Sequence, residues 1–220
     1  MTFMEPWIVT FGAVILGWAL GLATPLFFDW RKERRKRIEI QRAIAVELGE
    51  VAYRLLLLVF ETESNFGNLD RKLLEWMHPL IQKYEGLNPR EPVLAYVNEL
   101  LKQSAADLAQ WAAREREASP PHFNYPRIEA AYTTTAAMTH ANSFEPDYAR
   151  RVLDILSHLR MLNYMHDHVI FYERLTFTPG LTEENYKEAI KGKHTAQTEM
   201  SKRSRIIVDK ITALEQKYPS

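Results

Sequence analysis

From Trp7 to Phe28 the chain carries no charged residue, and the nine residues that follow, Asp29 to Arg37, hold six lysines and arginines. A helix that crosses a bilayer needs roughly 20 mostly apolar residues, at about 1.5 Å each, to span a hydrocarbon core of about 30 Å. Trp7–Phe28 meets that length, with Thr10 and Thr24 its only polar side chains and aromatic residues at both ends. Trp7, Phe27, Phe28 and Trp30 stand where interfacial aromatics belong. Asp29–Arg42 carries seven Lys/Arg against three Asp/Glu, so the positive-inside rule puts the N-terminus outside and the rest of the chain in the cytoplasm. A cleaved signal peptide fits poorly, because its basic region would precede a shorter apolar core.

Within this stretch Ala13, Gly17 and Gly21 recur every fourth residue and share one side of a helix. Gly17-Trp18-Ala19-Leu20-Gly21 is a GxxxG pattern, which lets two helix backbones approach closely and serves as a candidate self-association face. The same pattern also arises simply because glycine is frequent in membrane helices. Arg31, Lys32, Arg34, Arg35, Lys36 and Arg37 set topology, and they can also attract anionic lipid headgroups at about 1 kcal/mol per basic residue.

The 28 basic and 28 acidic residues balance, which argues against an extended nucleic-acid-binding surface. There is no cysteine, so disulfides, thiolate metal sites and a cysteine nucleophile are excluded. After the anchor, helical patterning continues without a strand-like alternation. Ile44, Leu48, Val51, Leu55 and Leu58 make a four-and-three seam that ends in the all-apolar Leu55–Phe60, and Asn65–Asn68 reads as a turn. Further helices are expected over 69–84 (with Pro79 bending or shortening it), 91–117, 127–140, 147–175 and from a Thr182 cap towards Tyr218. Residues 119–126, with three prolines, form a linker. The expected fold is all-α: an N-terminal transmembrane anchor over 1–30 followed by a cytoplasmic bundle of about six helices over 31–218.

Two stretches invite a chemical reading. On the helix from Asp147 to Leu175 the seam Tyr148, Val152, Ile155, Leu159, Leu162, Val169 includes His166, which therefore points inward. A buried histidine satisfied by a hydrogen bond is the commoner explanation. On this helix no Glu-x-x-His pair accompanies it, and no metal site and no cofactor is expected. In the last helix, Lys191 to Glu199 offers little apolar face, and Lys191, Lys193, Lys202, Arg203 and Arg205 make it locally basic. It reads as a solvated stretch outrunning the bundle, or else as a surface for an acidic partner or phosphate.

Arg160 and His166 also form an arginine-x5-histidine string that resembles the active-site motif of the HEPN family, all-helical domains many of which are dimeric RNases. The resemblance is confined to this helix, and Arg151 with His158 shares a loose form of it. It implies that Arg160 would stabilise phosphate charge and His166 would transfer a proton. The leading expectation is non-enzymatic: a single-pass inner-membrane interaction or effector module, self-associating through its span and long first helix. Its partners would be membrane lipid, further copies of itself or a membrane or cytoplasmic protein, and no nucleic acid. A membrane-tethered HEPN-like RNase is the alternative.

Overall fold

The computed structural model describes residues 6–84, 93–118 and 125–219. Its described residues form seven α-helices and no strand: α1 (Pro6–Asn65), α2 (Arg71–Tyr84), α3 (Leu94–Lys102), α4 (Ala105–Ala118), α5 (Ala131–His140), α6 (Pro146–Thr176) and α7 (Glu183–Lys217). The chain divides into two compact units, Met1–Arg42 and Ala43–Ser220.

The second unit is built on the predicted seam of α1. Ile44, Leu48, Val51, Leu55 and Leu58 are all buried, and Ala52, Tyr53, Leu56 and Val59 close the remaining sides. Full burial of each such aliphatic side chain contributes roughly 1.5–3 kcal/mol. Helix α1 ends in a Schellman turn: Gly67 sits at φ +69°, its N–H reaches the Ser64 carbonyl (2.9 Å) and the Asn68 N–H reaches that of Glu63 (2.8 Å). Asp70 then caps α2 through the Leu73 N–H at 2.7 Å. Pro79 lies inside α2 without shortening it, and the helix continues to Tyr84.

The expected helix over 91–117 is in fact two. Gln103 turns extended (ψ 152°), and the Ser104 hydroxyl accepts the Asp107 N–H at 3.2 Å while donating to the Asp107 carboxylate at 2.6 Å. This reciprocal cap starts α4 afresh, in the manner of a capping box, and it raises the helix count above the expected six. Likewise α5 begins at Ala131 and not at Arg127, because both backbone groups of Ile128 are engaged by a side chain of α6, described below. Pro146 opens α6 in a first-turn position, and the Thr182 hydroxyl caps α7 through the Asn185 N–H (3.3 Å).

Helices α6 and α7 run antiparallel and are tied along their length. Asp147, Asp154, His158 and Glu173 on α6 meet Lys217 (2.8 Å), Lys210 (2.6 Å), Arg203 (2.9 Å) and Lys193 (3.1 Å) on α7. Spaced along both helices, these pairs fix the register of α6 against α7. Close approach is set by Gly192, where a Cβ would stand 2.5 Å from the Tyr172 ring of α6. Tyr84 and Lys83 join α2 to Glu215 of α7, and Trp76 Nε1 donates to Asp209 at 3.2 Å.

Candidate functional site

In the first unit, Phe27, Phe28 and Trp30 are exposed, and Phe27 makes ring contacts with both of the others (centroids 6.3 and 6.1 Å apart). The basic run begins one residue later. Arg31, Lys32, Arg34, Arg35, Lys36 and Arg37 are all exposed, and the Arg34 guanidinium lies 5.5 Å from the Trp30 ring centroid. Among the described residues none of the six pairs with a carboxylate. In the second unit, Lys83, Lys102, Lys187, Lys191, Lys193, Lys202, Lys210 and Lys217 each do so. Among the described residues no helix is long and apolar enough to cross a membrane. Most side chains of the predicted span, Ala13 included, lie outside the described residues. Gly17 and Gly21 are exposed, and a Cβ at either would meet nothing within 4 Å.

Arg160 and His166 have separate settings. Arg160 is exposed on the outer side of α6, beside a groove of about 710 Å³ between α5 and α6. His166 is buried, and its Nε2 donates to the Tyr125 carbonyl at 2.7 Å, while Nδ1 faces the Asp167 carboxylate at 3.4 Å. The neighbours of His166 do related work. Asn163 accepts the Ile128 N–H (3.1 Å) and donates to the Ile128 carbonyl (2.9 Å), and Arg127 donates to Asp167 through Nε at 3.1 Å. Two α6 side chains, His166 and Asn163, thus supply hydrogen bonds that the non-helical backbone from Tyr125 to Ile128 would otherwise lack, and Asp167 holds the Arg127 side chain beside them. Tyr125 continues the chain of contacts through its hydroxyl to Glu61 and to the Leu57 carbonyl (3.3 Å) of α1.

The middle of α7 is not a solvated stretch. Lys193, Gln197, Ser201 and Ser204 are all buried, Lys193 against Glu173 of α6 and Ser201 against Glu63 of α1. Glu63 accepts from the Ser201 hydroxyl (2.6 Å) and from Arg205 (3.0 Å). The exposed lysines on the far side, Lys187, Lys191 and Lys202, pair with Glu183, Glu188 and Glu199 one helical turn away. That local neutralisation removes the excess charge that an acidic partner would read. The signal for burial was present: Ala189, Lys193, Gln197, Met200, Ser204, Ile207, Ile211 and Leu214 continue one four-and-three seam.

Burial pushes His158 and His194 below their ordinary value of 6.5. The Arg203 guanidinium donates to His158 Nδ1, which places the ring proton of the neutral imidazole on Nε2. Among the described residues no group of three or more His, Cys, Asp or Glu side chains could hold a metal ion. The chain matches no family model, no curated protein and no solved structure.

Proposed function

We propose that this chain is a single-pass membrane-anchored helical module, held at the cytoplasmic face of the inner membrane, where it assembles with further copies or with a protein partner. One observation carries the reading. Among the described residues the cations of Arg31–Arg37 are exposed and without carboxylate partners directly after an exposed aromatic cluster, in a chain whose other lysines are so often paired. Exposed aromatics beside unpaired cations match the two layers of a bilayer surface, the acyl boundary and the anionic headgroups. The charge-free Trp7–Phe28 that precedes them lies within the unbroken helix α1. Tethering raises the effective concentration of one module for the next and so favours assembly on the surface.

The absence of native cysteine makes the topology directly testable. A Phe3→Cys variant should react with a membrane-impermeant maleimide in intact cells, and a Ser104→Cys variant only after permeabilisation. Both should remain in the membrane pellet after carbonate extraction. Recovery of the protein in the carbonate supernatant would refute the anchor, and labelling of Ser104→Cys in intact cells would refute the orientation. Replacing Gly17 and Gly21 with Leu tests the span as an assembly element, and an unchanged oligomeric mass in detergent would rule it out.

A further inference from the structure

Helix α1 runs unbroken through the basic stretch, and a repeat of 3.6 residues per turn sets its successive side chains about 100° apart. Over residues 27–42 that geometry sorts the charges by kind. Arg31, Arg34, Arg35, Arg37 and Arg42, all the arginines of the stretch, fall on one half of the helix circumference. Phe27, Phe28, Trp30 and Ile38 share that half, and no acidic residue does. The other half carries Asp29, Glu33 and Glu39, both lysines (Lys32 and Lys36) and the buried Ile40. All five arginines are exposed, and among the described residues none of them pairs with a carboxylate. Setting topology requires only a number of lysines and arginines near the span, whatever side of the helix they stand on. Segregation of arginine from lysine and from acid is a further property, with a cause of its own.

We propose, on the membrane-anchored reading above, that the arginine half of α1 is a binding site for the phosphates of anionic phospholipids, centred on Arg31, Arg34 and Arg35. A guanidinium presents a planar fork of donors that matches two oxygens of one phosphate, whereas an ammonium is a point charge. A helix side that reads phosphate therefore gathers arginine in preference to lysine. Depth agrees with this. Arg31 and Arg35 are four residues apart, about 6 Å of rise, and the headgroup layer on each side of a bilayer is about 5–8 Å deep. The exposed rings of Phe27, Phe28 and Trp30 come directly before the arginines on the same half, at the level of the acyl boundary. The Arg34 guanidinium lies 5.5 Å from the Trp30 ring centroid, a contact that holds its fork beside the interfacial ring. The opposite half sets three carboxylates against two lysines, so α1 turns one side to the headgroups and not the other. A nucleic acid offers the same phosphate oxygens, but it gives the charge-free Trp7–Phe28 just upstream nothing to bury against.

Two double variants of the full-length chain remove the same charge at the same spacing from opposite halves: Arg31→Gln/Arg35→Gln and Lys32→Gln/Lys36→Gln. Each is equilibrated in detergent with equal amounts of phosphatidylglycerol and phosphatidylcholine, and bound lipids are counted by native mass spectrometry. A basic residue near an anionic surface is worth about fivefold in binding. The arginine pair should therefore lower the ratio of bound phosphatidylglycerol to phosphatidylcholine about twentyfold, and the lysine pair less than about twofold. Arg31→Lys/Arg35→Lys keeps the charge and loses the fork, and should still lower the ratio at least about threefold. Helix content by circular dichroism should be the same in all, because glutamine and lysine are good helix formers at these exposed positions. Equal losses from the two Gln pairs, with the native chain resistant to carbonate extraction, would overturn the arginine site and leave the anchor standing. A native ratio in the Arg→Lys pair would mean that charge alone acts, and would overturn it too. Displacement of phosphatidylglycerol by inorganic phosphate or single-stranded RNA at matched ionic strength would assign the arginines to another phosphate source. Release of the native chain by carbonate would overturn the anchor and this site together.

Discussion

Glu47 on α1 caps α5 at Thr133: its carboxylate accepts the Thr133 N–H and hydroxyl, both at 2.6 Å, and the adjacent Tyr132 N–H at 3.0 Å. Helix α5 needs this. It is ten residues long, holds three consecutive threonines and follows Ala130, whose side chain offers no cap. A helix so short and so rich in β-branched residues is not stable alone. Thr134 and Thr135 turn their hydroxyls back onto the carbonyls of Ala130 and Ala131, which adds nothing to the open N-terminus.

Glu47→Ala should therefore destabilise the bundle by about 1.5–3 kcal/mol, the usual range for hydrogen bonds to a charged group. Glu47→Gln, which keeps the acceptor and loses the charge, should recover part of that. Urea unfolding followed by far-ultraviolet circular dichroism measures both, and a Glu47→Ala midpoint equal to that of the native chain would show that α5 stands without the cap.

His166 and Asn163 give the second test. Both hold the non-helical segment from Tyr125 to Ile128 against α6. Asn163→Ala leaves the Ile128 N–H and carbonyl without their partners, at a cost of about 1–3 kcal/mol for buried groups. His166→Gln can still donate to the Tyr125 carbonyl and should be the milder change, while His166→Ala should match Asn163→Ala. Amide hydrogen exchange at Ile128 should accelerate in Asn163→Ala. Unchanged protection there would show that the amide is shielded by something other than Asn163.

How much of this was readable beforehand depends on the distance over which each interaction acts. The α1 seam, the turn at Asn65–Asn68 and the Thr182 cap are set by residues within a turn or two of one another, and each stands where local patterning puts it. The break between α3 and α4 was also local, written as Ser104-x-x-Asp107, but an apolar periodicity that runs across it hid the cap. By contrast, the Glu47 cap acts across 85 residues of chain, and Asn163 holds a backbone 35 residues before it. Nothing in the local sequence of either partner announces the other. Lys193 and Gln197 are an intermediate case: the seam passes through them, and only the habit of reading lysine as exposed turned that stretch outward.

Lys193 itself yields a prediction. Its side chain is 8% exposed and meets Glu173, 19% exposed, at 3.1 Å. Desolvating two charges offsets most of their attraction, so the intact pair contributes little net stability. Removing one partner leaves the other buried and uncompensated, which costs about 3–5 kcal/mol. Lys193→Met should fall in or just below that range, because Glu173 retains some access to water. The double variant Lys193→Met/Glu173→Leu should return close to the native midpoint. Differential scanning calorimetry of both decides the matter: if the double variant is as unstable as the single, the ion pair is a net stabilising element and not an alignment device.

Stability should fall with acid in two windows. Burial holds His158 below 6.5, with the neighbouring Asp154 opposing the shift and Lys210 and Arg203 reinforcing it, and burial does the same for His194 beside Lys193 and Arg116. A histidine depressed in the folded state binds its proton more readily when unfolded. Its contribution is therefore complete above about pH 6.5 and drains away as the pH falls through the folded value. The second window is the carboxylates'. Asp147 is held well below the usual range by Lys217, then Arg151 and Arg150, Asp154 is held low by Lys210, and Asp167 by Arg127. Their contribution is present above about pH 4 and is lost below it. Urea midpoints measured from pH 8 to pH 3 should accordingly show a shallow decline that sets in below about pH 6.5, and a steeper one below about pH 4. His158→Asn, whose side-chain oxygen can still accept from Arg203, should flatten the first decline and leave the second. Asp147→Asn should do the reverse. If His158→Asn leaves the decline that sets in below about pH 6.5 unchanged, the α6–α7 contact at Arg203 is not what makes the bundle acid-sensitive.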